Sequence, residues 1–457
     1  MHDREVFSKL LGVEPPWEIE RVDLRLEEGA VHVFLRHRRR VNWPCPQCGR
    51  RCKLHDHQPE RSWRHLDVFQ YETILHAEPP RCQCEEHGVQ AVSLPWAEKG
   101  SRFTALFERW AIMWLQIASQ SAVARQLGLS WDEVHGIQQR AVKRGLERRK
   151  IESVPVIGID EKAFRKGQRY LTLVYDHANS RVLYVADERK ESSLLGFWAM
   201  LTADQKAGIE AISMDMWDPF VNSVKANVPN AEEKIVFDKY HIASHLGNAV
   251  DLVRRGENKA LRIAGDNSLV GSKYDWLTNP DNFTAKAWRE FTALRTSDLK
   301  TARAWALKES AMHLFDYTYE GSARRHFRSW YNWATHSRLK PMISVAKMLK
   351  RRFENIITYL RHPVTNAISE SINSRIQWVK YTARGFRNKG NFVSAIYTSI
   401  VGDSTSCPNP LKSRKSQVFK TFGYFDAATA RSRNASAGRC RVRDELGKPR
   451  STEAPVG

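Results

Sequence analysis

Residues 154–160 read VPVIGID, with Glu161 directly behind. Six apolar or small residues closing on a carboxylate predict a short buried strand that delivers Asp160 at its end. The next stretch, GQRYLTLVYDHANSRVLYVAD (167–187), predicts two more strands around an Asn179-Ser180 turn. SSLLGFWAMLT (192–202) is helical in pattern, GIEAISMD (208–215) is a strand ending in Asp215, and WDPFVNSVKANV (217–228) is a helix. KIVFDKYH (234–241) supplies a further strand. Three strands, helix, strand, helix, strand is the order of an RNase H-like α/β domain, whose first and fourth strands are neighbours. Asp160 and Asp215 are therefore expected to meet.

A third carboxylate comes from TNAISESINSRIQ (365–377). Pro363 and Thr365 mark a helix start, and Ile368, Ile372, Ile376 and Val379 form an apolar stripe at helical spacing. Asn366, Glu370, Asn373 and Gln377 fall on the opposite, polar side. Three acids on such elements suit two-metal phosphodiester chemistry, in which one ion activates a water or a DNA 3′-OH and the other stabilises the leaving oxygen. Hard carboxylate oxygens match Mg2+ (or Mn2+). Asp160 is read as the bridging ligand, Asp215 as serving one ion and Glu370 the other. Glu161 should face away from Asp160, because adjacent strand residues alternate. Asp218 is read as a helix-capping acid, and Asp238 and His241 as structural or auxiliary.

Composition points the same way. The 457 residues carry 72 Lys and Arg against 51 acids, a net charge of +21 that suits a polyanionic partner or an anionic membrane surface. No apolar run approaches the roughly 20 residues that span a bilayer. The N-terminal MHDREVFSKLLG carries early acids rather than a signal-peptide core. A soluble, cytoplasmic chain is expected.

Five of the seven cysteines lie between Cys45 and Cys84, a spacing that favours metal ligation over disulfides. Cys45-Pro-Gln-Cys48-Gly49 places two thiolates around a tight turn, and Cys84 with His87 repeats the spacing. A structural Cys3His zinc site follows, with Cys82 and Cys52 as competitors for the closing position. It sits in a small β module, 1–98, where 19–28 and 30–36 read as two strands around a Glu-Gly turn.

Residues 99–150 predict a helix-turn-helix. In QSAVARQLGLSWDEVHGIQQRAVKRG, Ala124 permits close approach, Gly128 supplies the turn, and Ser130 with Glu133 forms a capping box. Val134 and Ile137 face inward. Trp131, His135, Gln138, Arg140, Lys143 and Arg144 are then candidates for phosphate and base contact.

The core is read as residues 151–245, a helical insertion as 246–360, and the core's last part as 361–403. The insertion interleaves aromatics and bases, with Trp330 and Trp333 as candidate base contacts. Arg375, Lys380, Arg384, Arg387 and Lys389 form a basic stretch that suits a DNA channel. Residues 404–457 read as a basic tail without periodicity.

CPQCG with the later CEEHG, SLPWAEKGSRFT, VIGIDEKAFRKGQRYLTLVYD, ISMDMWDPF, VPNAEEKIVFDKYHI, WALKES and TNAISESINSRI together resemble the DDE transposases of the ISL3 insertion-sequence family, over about residues 40–400. The resemblance implies an RNase H-like core interrupted by a helical insertion, with metal-dependent cleavage and strand transfer at terminal inverted repeats. Asp160, Asp215 and Glu370 match its acid positions, and Asp238 with His241 resembles a DxxH signature of related transposases. The last acid departs from the family's Glu-Gly-x-Asn context, reading Glu370-Ser371-Ile372-Asn373. Double-stranded DNA is the implied partner, and a homodimer handling two element ends is expected, in a bacterial, nucleoid-associated setting. A DNA-binding regulator with an inactive core, or a nuclease that cuts without joining, are the rival readings.

Overall fold

The computed structural model describes residues 3–151, 153–165, 169–364 and 367–400. The tail reading (404–457), Thr365 of the helix start and Asn366 of the polar stripe lie outside them. No helix among the described residues is long and apolar enough to cross a membrane.

After helix α1 (Asp3–Leu11), the chain builds two small sheets from strands β1 (Trp17–Arg25), β2 (Ala30–His37), β3 (Trp43–Pro44), β4 (Arg51–His57), β5 (Arg61–Val68), β6 (Tyr71–Ala77), β7 (Pro80–Cys84) and β8 (Gly88–Ala91). One has the order β1-β2-β6-β5, the other β3-β4-β7-β8. The expected turn between the first two strands is present, with Gly29 at φ 64°. Trp17, Val33, Trp63 and Leu75 bury between them, as alternation along half-buried strands requires.

Helices α2 (Ala105–Leu115), α3 (Gln120–Leu127) and α4 (Trp131–Arg148) follow. Gly128 closes α3 in the left-handed region at φ 65°. Ser130 and Glu133 form the reciprocal cap of α4, and Val134 and Ile137 are fully buried against Ala124 and Phe107.

The central sheet contains β9 (Val156–Arg165), β10 (Arg169–Asp176), β11 (Arg181–Asp187), β12 (Ala211–Met214) and β13 (Ile235–Phe237), in the order β11-β10-β9-β12-β13. The first three strands are antiparallel, whereas β12 runs parallel to both β9 and β13. Ile157 and Ile159 face one side, packed with Phe197, Trp198 and Phe220 from helices α5 (Leu195–Ala199) and α7 (Asp218–Asn227), with α6 (Ala203–Ala207) between them in sequence. A short α8 (Ala231–Lys234) leads into β13. Gly158 and Asp160 take the opposite face by alternation. That face is covered by two late helices, whose Ile372, Ile376, Phe392 and Ile396 join Leu171, Leu173 and Tyr175.

A helical block separates the two parts of this unit: α9 (Lys239–Ile263), α10 (Lys273–Leu277), α11 (Ala285–Arg295), α12 (Lys300–Met312), α13 (Glu320–His336), α14 (Lys340–Arg351) and α15 (Phe353–Arg361). Helix α9 starts immediately after β13 and runs unbroken through Leu246, so the boundary read at residue 246 falls inside a helix. The chain then returns as α16 (Ala367–Thr382) and α17 (Lys389–Ile400). Trp330 is a core residue, 2 % exposed, its indole N–H donating to the Leu307 carbonyl at 2.8 Å. That corrects its reading as a base contact. Trp333 remains exposed.

Candidate active site and DNA-facing surfaces

Asp160 sits on β9, and Asp215 follows β12, the parallel neighbour of β9. The Asp160 carboxylate accepts from the Asn373 side chain at 2.6 Å and from the Glu161 backbone N–H at 2.6 Å. Burial pushes its pKa above the usual carboxylate range, Asn373 pulls it back, and the negative charge of Asp215 raises it again. Asp215 lies 2.8 Å from His241 Nε2, and Asp238 lies 3.7 Å from the same nitrogen. The Asp238 backbone N–H donates to the Met214 carbonyl at 3.2 Å, tying the ends of β12 and β13 together. Asp238 also caps α9 by accepting from the Tyr240 N–H at 2.6 Å.

The ligand atoms of Asp215, Asp238 and His241 all lie within 4.8 Å of one another. The His241 pKa is raised, first by its hydrogen bond to Asp215, then by the charges of Asp215, Asp238 and Asp160. Three acids around one imidazole is a surplus of negative charge that a divalent cation would satisfy with hard oxygen donors.

Glu370 is not drawn into that cluster. It is exposed in the first turn of α16, one helical turn before Asn373. The structure thus joins Asp215 to Asp238 and His241, holds Asp160 beside them, and ties the Glu370 helix to Asp160 through Asn373. A second tie is the hydrogen bond between the Tyr175 and Ser369 hydroxyls. Gly158 makes room for Tyr175: a Cβ there would lie 2.1 Å from the phenol ring. Glu161 is engaged by Arg189 at 2.6 and 2.8 Å, and the Arg189 guanidinium lies over Trp217 (4.3 Å) and Tyr170 (4.6 Å). Arg189 was not legible as a site residue, since its partners come from three separate elements. Asp218 opens α7 and pairs with Arg352.

In the N-terminal module, Cys45 and Cys48 lie in the β3–β4 turn, Cys84 ends β7 and His87 lies in the β7–β8 turn, with Gly49 (φ 75°) and Gly88 (φ 66°) at the close of each turn. Cys48 and Cys84 sulfurs are 3.7 Å apart, and His87 Nδ1 is 3.6 Å from Cys84 and 3.9 Å from Cys45. These edges fit a tetrahedron with metal–sulfur bonds of about 2.3 Å, whose edge is about 3.8 Å. The His87 hydrogen bond holds the Cys84 thiol down at about 6. Cys52 and Cys82 are buried nearby but fall outside the group of four whose ligand atoms lie within 4.8 Å of one another.

The recognition-helix face needs correction. Gln138 is 2 % exposed and bonds Gln120 (2.6 Å) and Thr398 of α17 (3.1 Å). Arg144 is buried with Glu98 (2.6 Å) and Glu108 (3.5 Å), and Arg140 is held by Glu108 at 2.6 and 3.1 Å. A carboxylate buried at Glu108 demands those cations, which removes them from the DNA-facing surface. Trp131 stacks on His135 and stays exposed, as does Lys143. In the basic stretch, Arg375 donates to the Ser399 carbonyl (2.5 Å) and Lys380 to the Ala163 carbonyl (3.0 Å), while Lys389 pairs with Asp187. Arg384 and Arg387 are exposed.

Three family models match the chain in order. A zinc-finger model of insertion-sequence transposases covers residues 42–87, a helix-turn-helix model of transposase family ISL3 covers 92–142, and an ISL3-type DDE model described as a transposase covers 157–396. The chain is 28 % identical over 439 residues to the transposase for insertion sequence element IS1557 of Mycobacterium tuberculosis, spanning 89 % of this chain and 98 % of that one. It is 27 % identical over 409 residues to the transposase for insertion sequence element IS1001 of Bordetella parapertussis, spanning 88 % and 100 %.

Proposed function

The chain belongs to the ISL3 family of DDE transposases, enzymes of DNA cleavage and strand transfer on insertion-sequence DNA, and from that premise we propose that Asp160, Asp215 and Glu370 are its catalytic acids. The family implies a divalent metal, which we take as Mg2+ with Mn2+ as substitute. When bound, such ions activate a water or 3′-OH and stabilise the leaving oxygen. Asp160 and Asp215 hold the metal from neighbouring strand ends in an RNase H-like sheet, and Glu370 supplies the remaining carboxylate from α16. Asp238 and His241 position Asp215, and Asn373 positions Asp160.

The observation that carries this is that Asp160 lies on one of two adjacent parallel strands and Asp215 directly follows the other, Asp215 within the Asp238–His241 cluster and Asp160 bonded to the Glu370 helix through Asn373 at 2.6 Å. The Cys45, Cys48, Cys84 and His87 set holds structural zinc. We place the domain limits at residues 98, 150, 360 and 403, with the insertion beginning in α9. Trp131, His135, Lys143, Arg384 and Arg387 contact terminal inverted repeats, and a homodimer in the bacterial cytoplasm, at the nucleoid, pairs two element ends before joining them to target DNA.

The test incubates the protein with labelled terminal-repeat DNA, a target plasmid and Mg2+ or Mn2+. Joined products are expected. Asp160→Asn, Asp215→Asn and Glu370→Gln should each abolish cleavage and joining while sparing the gel shift. Cleavage that survives all three substitutions would refute the assignment.

A further inference from the structure

Helix α16 has two unlike sides. Ile372, Ile376 and Val379 are buried, whereas Glu370, Ser374, Gln377 and Tyr381 are exposed and fall within about 60° of one another at 3.6 residues per turn. Tyr381 is 80 % exposed and its neighbour Trp378 is 45 % exposed. Large rings standing in solvent on one face mark a contact surface. The stripe ends in a turn where Gly385, at φ 90°, donates its N–H to the Lys380 carbonyl and reverses the chain.

Across from that turn stands the helix-turn-helix. A cleft of about 890 Å³ lies between them, with Arg125 and Trp131 on one wall and Arg384, Arg387 and Asn388 on the other. Among the described residues no acid lines it, and none lines the adjoining hollow at Gln377 and Tyr381. The N-terminal end of α3, capped by Ser119, opens into the same space, adding a positive dipole end. The walls are fixed to each other, since Gln138 bonds Thr398 and Gln139 bonds Ser394.

We propose that the exposed stripe of α16, with Trp378 and Tyr381 as its aromatic contacts, carries the terminal duplex of the element from this cleft to the carboxylates, and that the length of α16 sets the spacing between them. This rests on the transposase reading and adds where the DNA lies. Acid-free walls with three arginines match a phosphate backbone. The ring faces take deoxyribose and exposed base edges about four to five base pairs inside the cut. Eleven residues separate Glu370 from Tyr381, about 16 Å at 1.5 Å per residue, which is about five base pairs at 3.4 Å each.

The experiment uses the full chain and a labelled duplex carrying the terminal repeat, with no divalent ion added, so binding is read without chemistry. Arg384→Ala with Arg387→Ala should weaken binding about tenfold or more and lower the slope of log affinity against log salt by about two. Trp378→Ala with Tyr381→Ala should weaken it by about tenfold at an unchanged slope. In both variants hydroxyl-radical protection should be lost about four to five base pairs inside the cut. A methylphosphonate about five base pairs inside the cut should weaken the parent, and should weaken the arginine variant no further. All four side chains are solvent-facing, so zinc content and circular dichroism should match the parent. Parental affinity and footprint in both variants would overturn the track. A parent that protects the duplex yet never cuts it once Mg2+ or Mn2+ is added would instead refute the catalytic reading and leave the track standing.

Discussion

Asn373 carries no charge, yet it connects the two halves of the candidate site. Its amide donates to Asp160 at 2.6 Å, so it fixes a carboxylate that burial would otherwise drive toward its neutral form. Asn373→Ala should reduce cleavage by about 10–100-fold, the usual cost of losing a group that orients a metal ligand. Asn373→Asp should be worse, because it sets a fourth acid beside Asp160, and single-turnover cleavage rates would separate the two. Gly158 is a second such point. Gly158→Ala presses a methyl into the Tyr175 ring and should cost about 1–3 kcal/mol in thermal unfolding. It should also slow cleavage, since Tyr175 holds Ser369 next to Glu370; parental rates in a folded variant would contradict this. At this scale the sequence was uneven. The strands and the helix that carry Asp160, Asp215 and Glu370 were legible, because apolar runs and helical stripes are local signatures. Gln138 and Arg144 were read as surface, although they follow Val134 and Ile137 at i+4 and i+7, which puts both on the buried stripe.

Between elements, the link from the zinc module to the helix-turn-helix is short and buried. His65 on β5 bonds the hydroxyl of Thr104, the cap of α2, at 2.8 Å. Burial, and to a lesser extent the charge of Arg64, lowers the His65 pKa to about 4. The folded state therefore binds its proton less readily than the unfolded chain, whose value is about 6.5. Stability on this account is complete above pH 6.5 and falls as pH drops toward 4, by up to about 3 kcal/mol. His65→Gln should flatten that part of the pH profile of chemical unfolding, measured on zinc-saturated protein to keep ligand protonation out of the comparison. An unchanged slope would remove His65 as its source. The elements themselves were well marked in sequence. Gly128, Ser130 and Glu133 are local rules obeyed locally, and the Cys-x-x-Cys-Gly and Cys-x-x-His-Gly turns likewise.

The relation between domains was not legible, because it depends on partners far apart in the chain. Gln138 and Thr398 are separated by 260 positions, and Gln139 and Ser394 by 255. No periodicity links them, and an amide on a helix is ordinarily a solvent residue. The consequence is that the helix-turn-helix is docked on α17, the helix that follows the Glu370 helix, rather than hanging on a linker. Arg149 reinforces the joint by donating to the Leu183 carbonyl at 2.7 Å. DNA held by one unit is then held in register with the other. Replacing Gln138 by Leu removes donor and acceptor together while filling the space, leaving Thr398 and Gln120 without their buried partner. That should cost about 1–3 kcal/mol. The effect on DNA should be selective: affinity for the terminal duplex within a fewfold of the parent, cleavage at the element end down by about tenfold or more through lost alignment. Gel shifts and cleavage on the same duplex measure the two sides. Equal losses in both would mean that Gln138 supports only folding, and that the docking does not align the cut.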